Sequence, residues 1–385
     1  MFPVKRTASS GGARRALRVL FVIPGAFEGN SMIFARRQAS SMRELGVQVS
    51  FFHLRSRTSP VQMAREWVRF RRCLRRTRPD VVHAHFGTAT ALFAALAAPR
   101  RPLVITYRGS DLNPAPRNAS LAEKARSLAG RLFSQLAALG ADRIVCVSRP
   151  LRQQLWWRRS VAVVLPSGVD AEVFRPESRA DARQRLGWSD AARVILFNAG
   201  HGARVKRIDL ARASTALASA AIPRLRLEVL DGRTPPDDIP ALMNAADCLL
   251  LTSDAEGSPT VVQEALACNL PVVSVDVGDA AERLRGVQGA RIVTRDPRDI
   301  ARALVELVAE PRRSDGRNKI GEFSTRGIAR EMHGIYRGLC ESWPIAPDRP
   351  LVASRALVAM GDTVVSAGPV VSAGKVVNAG KDQDV

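Results

Sequence analysis

Two doubly wound α/β domains facing each other across a cleft are what this sequence predicts, and three observations predict it. The chain has 385 residues, more than the roughly 100–200 that one hydrophobic core usually serves. Short apolar runs alternate with segments of helical period, as βα units around parallel sheets require. The series of runs then starts afresh near Val194, after a join at Gly168 to Pro176.

Residues 1–16 are basic and polar and are expected to be disordered. The apolar run Leu17 to Ile23 that follows is short, is broken by Pro24 and lacks a small-residue cleavage site. It reads as a first buried strand and not as a secretory signal. Further strands are expected at Val47 to His53, Val81 to His85, Leu103 to Tyr107, Arg143 to Val147 and Val161 to Leu165, closing a first domain over 17–170. The second series comprises Val194 to Asn198, Leu225 to Leu230, Cys248 to Leu251, Pro271 to Val275 and Arg291 to Thr294. Helical period returns from Ile300 to Trp343 and completes a second domain over 171–343. The last stretch, 344–385, carries a six-residue repeat (VVSAGP, VVSAGK, VVNAGK), too few copies for a solenoid core, and reads as a disordered low-complexity tail. Ligands bind at the carboxyl ends of parallel strands, so the loops there are where chemistry is sought.

Composition narrows the class. Hydrophobic residues make up 46% and charged residues 24%, ordinary for a globular protein. The net charge of +22, mostly arginine, points to an acidic partner: nucleic acid, an anionic membrane surface or phosphorylated small molecules. A genome-wide preference for Arg and Ala codons is the plainer alternative. The five cysteines lack metal-ligand spacing and are expected to be reduced, in a cytoplasmic setting. No stretch approaches the roughly 20 apolar residues of a membrane span, so membrane contact is expected to be peripheral.

The most informative stretch runs from Ser253 to Val273. Ser258 is placed to cap a helix with Pro259 at its first position, ending near Ala267 before Asn269 and Pro271. Free N–H groups of Thr260, Val261 and Val262 would then form an anion site at the tip of a strand. Glu256 lies in the loop before it. Glu264 shares a face with Thr260 and Val261, being three and four residues away. Two carboxylates, hinged at Gly257, therefore flank one phosphate position, and each can accept hydrogen bonds from vicinal hydroxyls. Either acid alone would read as ordinary solvated surface.

Glu-x7-Glu followed by Ala-Leu-Ala-x-x-x-Pro-Val-Val resembles glycosyltransferase family 4, whose GT-B fold sets two Rossmann-like domains across a cleft. The stretches around Asn244, Pro166, Ala141 and Pro79 stand in family order, over roughly Leu17 to Leu307. The resemblance implies retaining, metal-independent transfer from a nucleoside diphosphate sugar, with Glu256 on the donor sugar and Glu264 on its ribose. No cofactor is implied, since the nucleotide sugar is a co-substrate.

It also implies a basic loop after the strand at Val194. Lys206 stands where the family supplies a Lys to the diphosphate, but His201 stands at the family's Arg. Arg204 or Arg207 would substitute, or His201 would donate when protonated. Asp231 heads a loop that resembles the one beside the nucleotide, or ends its strand as a simple turn. On the acceptor side, the loop with Gly25, Gly29 and Asn30 resembles the family's Gly-rich cleft loop and does not fit GxGxxG. His85 ends its strand facing the cleft or packed inside. Arg108 replaces the family's His and suggests a carboxylate or phosphate on the sugar or lipid. Asp111 binds acceptor or caps its turn.

Met63, Trp67, Phe70 and Leu74 form one helical stripe with Arg65, Arg69, Arg72 and Arg76 opposite. That helix either lies on anionic lipid or turns its stripe to the core; Trp156-Trp157-Arg158-Arg159 adds a second aromatic and basic cluster. The expected partners are thus a nucleoside diphosphate sugar, a glycan or lipid-linked acceptor and an anionic membrane surface. Nucleic acid is not expected, because aromatic residues are only 5% and are not interleaved with Arg in any recognisable motif. A sugar-nucleotide epimerase or phosphorylase on the same fold remains the other rival.

Overall fold

The computed structural model describes residues 15–25, 32–55, 59–116, 119–200 and 203–343. Residues 1–14 of the expected N-terminal segment and the whole repeat tail lie outside the described residues. The six strands of the first half are β1 (Arg18–Pro24), β2 (Gln48–Leu54), β3 (Val81–His85), β4 (Leu103–Tyr107), β5 (Arg143–Cys146) and β6 (Ala162–Val164). They form a parallel sheet of order β2-β1-β3-β4-β5-β6. In the second half β7 (Arg193–Asn198), β8 (Leu225–Leu230), β9 (Cys248–Leu251), β10 (Val272–Val275) and β11 (Ala290–Val293) form a parallel sheet of order β11-β10-β9-β7-β8. Helices cover both faces of each sheet, which is why β3, β4, β9 and β10 are buried at every position and read as unbroken apolar runs.

One assignment changes. The helix Thr325–Ser342, expected within the second domain of 171–343, packs on the first. Its Ile328, Ala329, Met332, Tyr336 and Leu339 share a core with Val19 and Phe21 of β1, Val81 of β3 and Val104 of β4. Crossover handedness is the reason. The β1-to-β2 connection runs opposite to the others, so right-handed crossovers put only the helix Ile33–Glu44 on that face. The last helix covers what would otherwise be bare sheet. Tyr336 Oη comes to 2.5 Å from His83 Nδ1 in β3.

The stripe of helix Pro60–Thr77 turns to the core: Phe70 is fully buried, with Met63 and Leu74 packed beside it, while Trp67 stays 39% exposed. Arg69 is not free on the opposite face; its guanidinium lies over the Phe52 ring and pairs with the buried Glu66.

The second domain is pinned by an arginine that no solvent reaches. Arg183 donates to the carbonyls of Ala245, Ser189, Asp190 and Ala192 and pairs with Asp247 at 2.9 Å. Asp247 in turn accepts from the Val194 N–H at the start of β7. A buried ion pair is favourable only when its remaining donors are satisfied in this way.

Candidate functional site

In the second sheet the chain leaves β7 toward β8 on one side and returns to β9 on the other. The crevice lies where those directions diverge, outside the carboxyl ends of β7 and β9. The loop after β7 carries the turn Ala203–Lys206, and the loop after β9 carries Ser253 to Pro259. Thr252 Oγ1 donates to the Lys206 carbonyl at 2.8 Å, and the Asp254 N–H donates to the Val205 carbonyl at 2.9 Å, so the two loops are tied to each other. Lys206 Nζ meets Glu256 Oε1 at 2.5 Å, and Ser253 Oγ donates to the same oxygen at 2.8 Å. The side chains are 25% and 12% exposed, open enough to exchange partners with a ligand.

The helix beside this pair starts one residue later than expected. It spans Thr260–Ala267 with Pro259 as N-cap, and Ser258 does not cap it. The Ser258 hydroxyl instead accepts from Arg283 Nη2 at 3.2 Å and Gln263 Nε2 at 3.4 Å. The Val262 N–H bonds back to the Pro259 carbonyl at 3.1 Å. Among the described residues, Thr260 and Val261 keep the free N–H groups, two donors where three were expected. Asn269, at φ 53°, ends the segment as anticipated.

Glu264 sits one turn into that helix with its side chain 14% exposed. Burial raises its pKa, and the guanidinium of Arg37, 3.6 Å away from the first domain, offsets part of the rise. Arg37 had no signal in the sequence, because the contact exists only between domains. The same holds for Asn113, whose Nδ2 donates to the Glu256 carbonyl at 3.0 Å.

Arg108 forms the opposite wall. Its guanidinium stacks on the Phe34 ring at 3.7 Å, donates to Ser167 Oγ at 2.9 Å and approaches His85 Nδ1 at 3.3 Å. Burial lowers its pKa to about 9, with Asp111 and Tyr336 opposing the shift, so it stays charged at neutral pH. The backbone of Arg108 touches the donor loop directly: a Cβ added to Gly257 would fall 1.7 Å from the Arg108 carbonyl oxygen.

Two acceptor candidates are corrected. His85 is fully buried, its ring 3.9 Å from that of His83, and desolvation drives both imidazoles well below their ordinary pKa. It underlies Arg108 and does not line the cleft. Asp111 is also fully buried and accepts the N–H groups of Gly87, Arg108 and Gly109, which makes it the cap of that turn. Gly25, at φ 92°, donates its N–H to the Leu54 carbonyl. Gly29, Asn30 and His201 lie outside the described residues. Asp231 is held by Arg233 at the surface, while Gly232 and Thr234 of the same loop face the interdomain cavity. Arg204 is 69% exposed and reaches Glu123 of the first domain, 3.8 Å away.

Three cavities meet at Arg108. One of about 300 Å³ runs between the domains past Phe34, Arg37, Gly232, Thr260 and Glu264. A second, about 170 Å³, holds Lys206, Glu256 and the helix start. The third, about 610 Å³, continues beyond Lys206 and Glu256 to Asn113, Arg126, Ser127 and Gly130. The Lys206 ammonium and the two free N–H groups thus stand between two spaces, one framed by Glu264 and one open to the first domain. Among the described residues no group of three or more His, Cys, Asp or Glu is placed to share a metal ion.

Similarity to known proteins agrees with this geometry. Residues 18–173 match Glycosyltransferase Family 4 and residues 190–310 match Glycosyl transferases group 1. TuaC of Bacillus subtilis (strain 168), a glycosyltransferase named for teichuronic acid biosynthesis, is 27% identical over 284 residues, 67% of this chain and 70% of its own. A D-inositol 3-phosphate glycosyltransferase of Geodermatophilus obscurus is 28% identical over 312 residues, 70% of this chain and 69% of its own. Among solved structures, Anabaena Alr3699/HepE in complex with UDP and glucose superposes with a TM-score of 0.62 at 17% identity, covering 84% of this chain and all of that one. The chain belongs to glycosyltransferase family 4, and its two domains form a GT-B fold.

Proposed function

We propose that the protein is a retaining hexosyltransferase that moves a sugar from a UDP- or GDP-sugar to a hydroxyl of a glycan or lipid-linked acceptor, in assembly of cell-surface polysaccharide or glycolipid. The observation that carries this reading is the Lys206–Glu256 pair beside the free N–H groups of Thr260 and Val261. When donor binds, the ammonium and the helix start neutralise the diphosphate, and that charge is worth most as the glycosidic bond breaks. Glu256 is freed to accept from the sugar's hydroxyls, and Glu264 accepts from the ribose after exchanging Arg37 for it. Lys206 and the two N–H groups supply the positive charge that a metal would otherwise bring, which supports metal independence. His85 and Asp111 are already committed to packing and capping, which favours a departing phosphate as the acceptor's base. The HepE complex with UDP and glucose supports the donor class, and the name of TuaC supports a surface polysaccharide product. The reaction is set in the cytoplasm, at the inner face of the membrane, a reading that the five unpaired cysteines and the net charge of +22 support.

Thermal shift against UDP, GDP, their sugars and a mixed oligonucleotide tests it, with and without EDTA. A nucleotide at about a hundredfold above its Kd should stabilise by about 2.7 kcal/mol, several degrees, unchanged by EDTA. Stabilisation by the oligonucleotide alone would return the chain to the nucleic-acid class. Retention is read from the anomeric coupling of the product.

A further inference from the structure

We infer that the outer helical layer of the first domain is a docking face for an anionic lipid bilayer, with the helix Leu121–Gly140 as its main contact. Among the described residues, fourteen large hydrophobic side chains are exposed, and ten belong to this one layer. They are Val61, Trp67 and Val68 on helix Pro60–Thr77, Leu96 on helix Thr88–Ala97, five on helix Leu121–Gly140, and Trp156. All these segments lie on the same face of the first sheet, since their inner sides, from Phe70, Phe93, Ala137 and Leu151, build one core with it. The opposite face is closed by helices Ile33–Glu44 and Thr325–Ser342, and among the described residues it exposes one large hydrophobic side chain, Leu45.

The middle of the layer is ordered as an interfacial helix is. Leu128, Leu132 and Leu136 recur every four residues and are 52%, 41% and 44% exposed, with Phe133 beside them at 40%. A capping box, Ser120 with Glu123, fixes the helix start, so the stripe is held in place without a partner. Trp156 continues the stripe: its N–H bonds to Gln135 of that helix, and its ring is 44% exposed.

Charge decides the occupant. Helix Pro60–Thr77 carries six arginines; Arg69 pairs with its one acid, the buried Glu66, which leaves five with no acid on the helix to offset them. Lys124, Arg126 and Arg131 outnumber Glu123 on helix Leu121–Gly140, and residues 149–159 hold Arg149, Arg152, Arg158 and Arg159 with no acid among them, only Arg149 reaching one, Glu282 of the second domain. Leucines and a tryptophan rimmed by cations match an anionic headgroup layer over hydrocarbon, where each surface cation contributes about 1 kcal/mol. No helix among the described residues is long and apolar enough to cross a membrane, so the contact is peripheral. The other flank of helix Leu121–Gly140, with Arg126, Ser127 and Gly130, walls the cavity of about 610 Å³ beside Lys206 and Glu256. A docked enzyme would therefore open that cavity close to the bilayer. The docking itself needs no assumption about the reaction.

The test is co-sedimentation of the full chain with phosphatidylcholine vesicles containing roughly 30% phosphatidylglycerol, and with phosphatidylcholine alone. The wild type should pellet with the anionic vesicles, less so at high salt, and not with the neutral ones. Leu128→Glu/Leu132→Glu/Leu136→Glu should lower partitioning at least about tenfold while keeping the wild-type melting temperature. Should the triple variant fail to fold, Trp156→Ala with Arg152→Glu and Arg159→Glu provides the same reading. Leu217→Glu/Ile292→Glu, two exposed sites in the second domain, should partition as wild type. Equal binding by wild type and both patch variants, no binding of wild type to anionic vesicles, or a wild-type dimer that the patch variants dissociate without any lipid binding would each overturn the proposal.

Discussion

Replacing Lys206 with Met removes a charge and keeps most of the side chain's volume. Opposite unit charges about 4 Å apart at an effective dielectric near 20 interact by about 4 kcal/mol. Lys206, 25% exposed, already spends part of that on Glu256 before donor arrives. The share that grows as the diphosphate departs is therefore about 3–4 kcal/mol, matching the loss seen when one preorganised donor is removed from an active site. At about 1.4 kcal/mol per tenfold, kcat/KM should fall about 10²–10³-fold. The variant also leaves Glu256 without its ammonium, beside an incoming dianion. Lys206→Met/Glu256→Gln should consequently recover nucleotide affinity relative to Lys206→Met but not turnover. The assay is nucleoside diphosphate release, with calorimetry for affinity and circular dichroism for the fold. Turnover by Lys206→Met at the wild-type rate, or full rescue of turnover by the double variant, would refute the assignment.

Gly257→Ala should separate the domains, because its Cβ would meet the Arg108 carbonyl at 1.7 Å; small-angle scattering should show a larger radius of gyration and turnover should collapse. Nucleotide affinity should fall as pH falls through Glu264, whose buried carboxyl has a pKa raised above its ordinary 4.5 and accepts from ribose most strongly, with both oxygens, when ionised. The acid limb should thus begin above that value, and calorimetry of Glu264→Gln should show it flattened. The linked stability runs the opposite way: the raised pKa favours the folded state while Glu264 is protonated, and that contribution is lost as pH rises through the folded pKa. Arg183→Met should cost about 3–5 kcal/mol in thermal or urea unfolding, since it strands Asp247 in the interior. Arg183→Lys should recover only part, because an ammonium cannot span the four carbonyls that the guanidinium reaches.

The strands, their order along the chain and the doubling into two domains were legible in the sequence because they are local. A strand buried on both faces must be apolar throughout, and a helix must announce its start and end in a few residues. Glu256, Glu264 and Lys206 were legible for the same reason, each fixed by a short motif against its own strand. Ser258 shows the limit of that reasoning: a good capping residue by type, it was claimed by Arg283 from another segment. The tertiary structure alone decided the rest. Arg37 against Glu264, Asn113 against Glu256, and the backbone contact of Gly257 with Arg108 are all meetings of the two domains. The burial of His85 and Asp111 depends on Arg108 lying over one and on three N–H groups converging on the other. The return of helix Thr325–Ser342 to the first domain follows from which sheet face the crossovers left uncovered. A sequence specifies what each segment must bury or cap, whereas a cleft is made by surfaces more than a hundred residues apart, and their meeting leaves no local pattern in either one.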